Sequence, residues 1–363
     1  SQTHPDQVYL SVLNTKDQFF QNYHYLTVNK LPDIYKDDLN TNLNSSLSKH
    51  SLTLKMPVDQ KYIQAIKDGD VVAFPTETVY GLGADAWNAK AISKVFETKG
   101  RPSDNPLIVH VSDFDQVNDF AAEIPEAAQL LIEEFWPGPL TLVFKKKPEV
   151  LDAITAGLNT VAIRMPANEI AISLISETNP LVAPSANRSG APSPTKASHI
   201  KADFGSSVLV IDGGSTQVGL ESTVLDISGD QPMILRPGVI DKDQLEQVLN
   251  QTVLTDDKSS ENPKSPGQKY SHYKPKADVK WLDSEDEFED TSSLFLLLNS
   301  ELEQQNIINY NQDFEKLARE LYDRFRQADI DGYKKVVLEP FDDRYDSSVI
   351  PALLNRIEKA TSL

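Results

Sequence analysis

Between residues 71 and 225 short apolar runs alternate with stretches of helical periodicity, and this alternation constrains the fold more than any other feature of the chain. The runs are Val71-Val72-Ala73-Phe74, Leu107-Ile108-Val109, Leu140-Thr141-Leu142-Val143-Phe144, Val161-Ala162-Ile163, Leu181-Val182-Ala183, Val208-Leu209-Val210-Ile211 and Thr223-Val224-Leu225. Each is short and bounded by Gly, Pro or Asn, which reads as a strand. Helices are expected at 88–99, 115–135, 168–178, 195–203 and 241–250. Upstream, Val58, Tyr62, Ile63, Ala65 and Ile66 share one helical face, and Asp68-Gly69-Asp70 stops that helix. Strands interleaved with helices specify an α/β domain, expected to span 56–250.

Residues 1–55 lack sustained periodicity and read as an extension of unknown role. Residues 251–279 have the Lys, Ser, Asp and Pro content of a linker, and 280–363 carry two apolar runs, 294–298 and 336–338, and a helical pattern at 313–327. A second, small α/β unit is expected there. The linker is unusual in holding Tyr270, His272 and Tyr273, since a pure spacer has little use for aromatic side chains.

The chain has 54 acidic against 35 basic residues, a formal net charge of −19. Gripping nucleic acid through a broad basic face requires clustered Lys and Arg, so strong direct nucleic-acid binding is not expected and any basic site must be local. There is no cysteine, which excludes disulfides, thiolate catalysis and cysteine-ligated metals. The six histidines are scattered, and no residue set is expected to hold a metal through protein side chains. No apolar run approaches the ~20 residues of a membrane span, and no basic-then-apolar leader begins the chain, so a cytoplasmic protein is expected.

Small hydroxyl residues and isolated cations recur at strand ends. Pro75-Thr76-Glu77-Thr78 follows the first strand, ahead of Gly81-Leu82-Gly83, which reads as a turn permitting φ > 0. Lys99-Gly100-Arg101-Pro102 places two cations on a short loop, suited either to a polyphosphate or to capping the preceding helix. His110 reads as a core histidine or a ligand contact. Arg164, at the end of an apolar strand, must reach solvent or meet an anion. Ala183-Pro184-Ser185-Ala186-Asn187 repeats the theme, Ser193-Pro194-Thr195 is expected to cap the next helix, and Glu221-Ser222 and Arg236 complete the set. Neither Gly-x-Ser-x-Gly nor a Walker loop occurs, which points away from a serine hydrolase and a P-loop enzyme and toward electrostatic positioning.

These blocks, together with Trp136-Pro137-Gly138-Pro139-Leu140-Thr141, make seven that in order resemble the YrdC-like threonylcarbamoyl-AMP synthases in their long, two-domain form. They lie at 75–83, 99–106, 136–141, 161–166, 183–187, 221–223 and 235–238, and the linker segment 265–273 is similar as well, with Gln268 where the family carries Met. The resemblance implies a twisted mixed sheet with helices around a basic cleft, followed by a small Rossmann-like C-terminal domain. It implies conversion of L-threonine, bicarbonate and ATP to threonylcarbamoyl-AMP and pyrophosphate, with Mg2+ accompanying ATP and tRNA threonylcarbamoyl-transfer proteins downstream. By the same matching, Lys99, Arg101, Ser185 and Asn187 form the catalytic core. Arg101, Asn105, Thr160, Ser185, Ser193, Arg236 and Tyr270 would contact ATP, and Thr78, His110, Arg164, Ala183 and Ser222 would hold threonine.

Two other functions stay open at this level. One is an RNA-binding or regulatory module built on the same cleft, disfavoured by the charge balance. The other is a carbamoyl transferase fed by carbamoyl phosphate.

Overall fold

The computed structural model describes residues 10–13, 51–54, 57–256, 272–342 and 344–361. Strands β1 (Leu10–Leu13) and β2 (Ser51–Leu54) form an antiparallel pair. The first helix, α1 (Gln60–Lys67), starts where the Asp59 carboxylate accepts the Lys61 N–H at 2.9 Å.

The main domain then runs β3 (Val72–Phe74), β4 (Gly81–Asp85), α2 (Ala89–Lys99), β5 (Ile108–His110), α3 (Val117–Phe120), α4 (Glu126–Phe135), β6 (Leu140–Lys145), α5 (Asp152–Thr155), β7 (Thr160–Arg164), α6 (Glu169–Glu177), β8 (Leu181–Val182), α7 (Ala197–Phe204), β9 (Leu209–Val210), β10 (Thr223–Asp226), β11 (Met233–Arg236), α8 (Lys242–Leu249) and β12 (Leu254–Thr255). Its ten strands form one mixed sheet in the order β12-β11-β10-β6-β7-β5-β8-β4-β3-β9. Parallel pairs such as β5 with β7 are mixed with antiparallel pairs such as β6 with β7, and β5-β8-β4-β3 are antiparallel throughout. Helices packed on the sheet bury a core including Tyr80, Leu82, Val95, Phe120, Leu140 and Phe144.

The C-terminal unit contains β13 (Asp278–Trp281), β14 (Ser293–Leu297), β15 (Ile307–Asn309), α9 (Phe314–Asp331), β16 (Lys335–Leu338) and α10 (Ile350–Thr361). Its four strands are all parallel, in the order β13-β16-β14-β15. The apolar faces of α9 and α10 bury Leu321, Phe325, Leu353 and Ile357 in a core that also takes in Val79 and Leu220 of the main domain. Strand β12 falls in the stretch whose composition reads as linker, and β13 begins in its last two residues.

Four local expectations are corrected. Gly81-Leu82-Gly83 belongs to strand β4 rather than a turn. A Cβ on Gly83 would lie 2.6 Å from the Phe74 ring, so the absence of a side chain lets β3 and β4 pack. The helix expected at 115–135 breaks in two: Ala121 makes an isolated bridge to Lys146 on the strand side, and Pro125 precedes α4 as its N-cap. Helix α7 begins at Ala197 after Lys196 with no side-chain cap, because the Ser193 hydroxyl is used elsewhere. Lys99 is the last residue of α2, not a loop residue; Gly100, at φ 61°, ends the helix behind it.

Candidate functional site

Ile108 and His110, two apart on β5, face the same side of the sheet, in register with Ala162 and Arg164 of β7. Over this face lies a cavity lined by Thr76, Thr78, Gly81, Arg101, His110, Arg164, Ala183, Ser185, Glu221, Ser222, Arg236, His272 and Tyr273. Three guanidinium groups thus converge on one small concavity from separate elements, among hydroxyls and backbone.

Each arginine is held by a local device. Arg164 donates through Nε to the Gly138 carbonyl at 3.1 Å and through a terminal nitrogen to Thr78 Oγ1 at 2.9 Å, and its other terminal nitrogen stands 2.6 Å from the Glu77 carboxylate. The anion demanded by a cation at the end of an apolar strand is therefore Glu77. Gly138 can present its carbonyl there only without a side chain, since a Cβ would fall 2.2 Å from the Phe135 carbonyl oxygen. Arg236 donates to the Ser222 carbonyl at 3.1 and 2.9 Å and to its hydroxyl at 3.1 Å, and that hydroxyl also meets Thr141 at 2.8 Å. Arg101 donates to the Pro106 carbonyl at 3.1 Å, which folds the 101–106 loop back on itself.

Of the residues expected at the site, Thr78, Arg101, His110, Arg164, Ala183, Ser185, Ser222 and Arg236 line this cavity. Lys99 lies behind it. Its ammonium is buried and donates to the Ser185 carbonyl and, at 2.6 Å, to the Asn187 carbonyl, while its own carbonyl accepts the Ser189 N–H at 2.8 Å. The Asn187 amide donates to the Arg188 and Ala191 carbonyls, at 2.8 Å each, and tightens the same loop. Asn105 is buried at the end of the 101–106 loop, Ser193 donates to Glu221 at 2.5 Å, and Thr160 stands at the start of β7, the far end of the strand from Arg164. Tyr270 lies outside the described residues.

Electrostatics follow from burial. Desolvation, reinforced by Arg164 and Arg236, pushes His110 down to about 3, so the ring is neutral at ordinary pH. Its Nδ1 is 3.3 Å from the Ile108 carbonyl, which can only accept; this assigns the proton to Nδ1 and leaves Nε2 as an acceptor. His272 is likewise held near 3, by burial and then by Arg101. Burial and Arg101 also lower Lys99 well below an ordinary lysine.

Glu221, mentioned in the sequence only as part of a block, is the best-bonded carboxylate of the site. It accepts from Ser193, from Tyr322 at 3.0 Å and from Arg356 at 2.9 Å. Burial opposes its charge, but Arg356, Arg236 and these hydrogen bonds hold it down near 2. Tyr322 and Arg356 had no signal in the sequence, because they sit in the C-terminal unit more than 100 positions away. Among the described residues no group of three or more His, Asp or Glu gathers as a metal site, and no helix is long and apolar enough to cross a membrane.

The chain is similar to known proteins along most of its length. The Sua5/YciO/YrdC family model, described as "Telomere recombination", matches residues 64–238, and the model described as "Threonylcarbamoyl-AMP synthase, C-terminal domain" matches 240–362. The chain is 40% identical to a threonylcarbamoyl-AMP synthase of Pyrococcus abyssi, over 82% of this chain and 92% of that one. It is 42% identical to one of Bacillus subtilis, over 81% and 90% respectively. The solved structure of P. abyssi Sua5 complexed with L-threonine superposes with a TM-score of 0.76 at 38% identity, covering 85% of this chain and 96% of that one.

Proposed function

Since the chain belongs to the threonylcarbamoyl-AMP synthase family, we propose that its cleft joins the carbamate of L-threonine to the α-phosphorus of ATP. The amine of threonine takes up the carbon of bicarbonate with loss of water. A carbamate oxygen then attacks the α-phosphorus, the bond to the β-phosphate oxygen breaks, and threonylcarbamoyl-AMP and pyrophosphate result. The product serves threonylcarbamoyladenosine formation in tRNA, by transfer proteins acting downstream in the cytoplasm.

The observation that carries this reading is the convergence of Arg101, Arg164 and Arg236 on one cavity of an otherwise acidic chain. Both reactants are anions, so their approach is the main obstacle, and fixed cations in a desolvated site offset it without a covalent intermediate. Arg236 and Arg101, with the Ser185 hydroxyl, face the nucleotide phosphates. Arg164, already oriented by Gly138, Thr78 and Glu77, offers its remaining N–H groups to the threonine carboxylate. Thr78, Ser222, the Ala183 backbone and the acceptor nitrogen of neutral His110 complete the amino-acid pocket. Lys99 and Asn187 act from behind, by fixing the loop that carries Ser185. Asn105, Thr160, Ser193 and Tyr270 remain proposed as further nucleotide contacts on the strength of the family match.

Magnesium belongs to this scheme only as the companion of the ATP phosphates. The two carboxylates near the cavity are engaged, Glu77 by Arg164 and Glu221 by Arg356, so the side chains present do not fit a resident ion. The test is pyrophosphate release from ATP and bicarbonate, with and without L-threonine. Release that threonine does not raise would overturn the proposal, and activity from carbamoyl phosphate in place of ATP and bicarbonate would replace it.

A further inference from the structure

Arg356 of helix α10 is fully buried, at 0% exposure, and lies at the junction of the two domains. Its Nε donates to Glu221 Oε2 at 2.9 Å, and one terminal nitrogen donates to the Pro237 carbonyl at 2.9 Å. It therefore grips the residue before Ser222 and the residue after Arg236, the two segments that present the cationic wall of the cavity. Tyr322 of α9 bonds the same carboxylate from the C-terminal side, and Ser193 bonds it from the main domain. Gly219, two residues upstream, allows the approach: a Cβ there would meet the Cα of Arg319 at 2.4 Å.

This arrangement settles a competition. Glu221 is buried and lies in the field of both Arg356 and Arg236. Among the described residues, the guanidinium other than Arg356 whose charge acts on Glu221 is Arg236, with the Lys359 ammonium a weaker neighbour, and an Arg236 drawn into balancing Glu221 is partly neutralised toward an incoming phosphate. We propose that Arg356 is a positioning residue of the nucleotide cleft: by occupying Glu221 and bracketing the Arg236 segment, the C-terminal domain keeps Arg236 available to the anionic substrate. The inference rests on the reading of Arg236 as a phosphate contact, and it gives the second domain a part in the site that acts through Arg236.

The test compares Michaelis constants for ATP and for threonine in Arg356→Met, in Arg356→Met/Glu221→Gln and in Arg356→Lys, each checked for folding by circular dichroism. Arg356→Met should raise the ATP constant about tenfold or more while moving the threonine constant less than about twofold. Removing the stranded carboxylate in the double variant should return the ATP constant to within about threefold of wild type. Arg356→Lys keeps a cation beside Glu221, so it should also stay within about threefold, and it serves if Arg356→Met does not fold. The inference is overturned if the ATP constant is unchanged in Arg356→Met, if both constants rise together, if the double variant does not recover, or if folded Arg356→Lys is as impaired as Arg236→Gln. The underlying assignment fails separately: Arg236→Gln would then leave the ATP constant at its wild-type value.

Discussion

Replacing Lys99 with Met isolates what its ammonium does, because Met keeps most of the buried stem and removes the charge. In the structure that ammonium bonds the carbonyls of Ser185 and Asn187 and does not itself line the cavity. The Asn187 carbonyl left without its donor costs about 1–3 kcal/mol, while the Ser185 carbonyl keeps the Asn187 N–H at 3.0 Å and loses a charged second donor for about 1 kcal/mol more. Part of that is returned because burial already disfavours the charged lysine. The net loss should be about 1–4 kcal/mol, or roughly 3–12 °C in melting temperature for a domain of this size. The loop carrying Ser185 then loses its anchor, and a displacement of about 1 Å at a reacting site costs on the order of a hundredfold in turnover. Differential scanning fluorimetry and threonine-dependent pyrophosphate release measure the two effects on one sample. Wild-type melting with wild-type turnover would show that the ammonium anchors nothing. Lost turnover with unchanged melting would mean that Lys99 acts on the substrates directly, and the loop-anchor reasoning would be refuted.

Three further outcomes are expected. Glu221 has a folded-state value near 2 against 4.5 when free, so the unfolded chain binds the extra proton between those values. Its stabilisation is complete above about pH 4.5 and falls away as pH drops through that window, by about 3 kcal/mol in all; urea midpoints from pH 5 to 3 should fall more steeply in wild type than in Glu221→Gln, and parallel curves would count against the buried hub. His110, held near 3 against 6.5 when free, should show a flat ring chemical shift by NMR from pH 8 to about pH 4.5, and stability should decline as pH falls below 6.5 because only the unfolded chain accepts that proton; a midpoint near 6.5 would contradict its burial. Gly219→Ala places a methyl group 2.4 Å from the Arg319 backbone at φ +82°, so chemical denaturation should show a loss of about 2–4 kcal/mol, and an unchanged midpoint would mean that the two domains do not approach there as described.

Much of the architecture was legible because it depends on patterns local to the chain. Apolar runs bounded by Gly, Pro and Asn marked β3, β5, β6, β7, β8, β9 and β10 to within a residue or two at each end. The helix expected at 88–99 matches α2 (Ala89–Lys99), whose ends carry an Asn88 cap and Gly100 at φ 61°, both properties of single residues. Strand β4 escaped because glycine is depleted from strands and signals turns, and only the ring of Phe74 packed across Gly83 explains its use there. Helix α10 was missed outright, although its apolar residues Ile350, Leu353 and Ile357 follow helical spacing, because Pro351 near its start reads as a breaker rather than as a first-turn residue.

The order and identity of the strand-end motifs, with their hydroxyls and lone cations, were enough by themselves to indicate the family and an electrostatic kind of chemistry. What only the folded chain decided is which charges meet. Ion pairing depends on distances set by packing, not on separation in sequence, so nothing near residue 164 announced that Glu77 would hold Arg164. The same holds for Glu221, whose partners Tyr322 and Arg356 come from two helices of another domain, brought within hydrogen-bonding distance only when its apolar faces bury Val79 and Leu220.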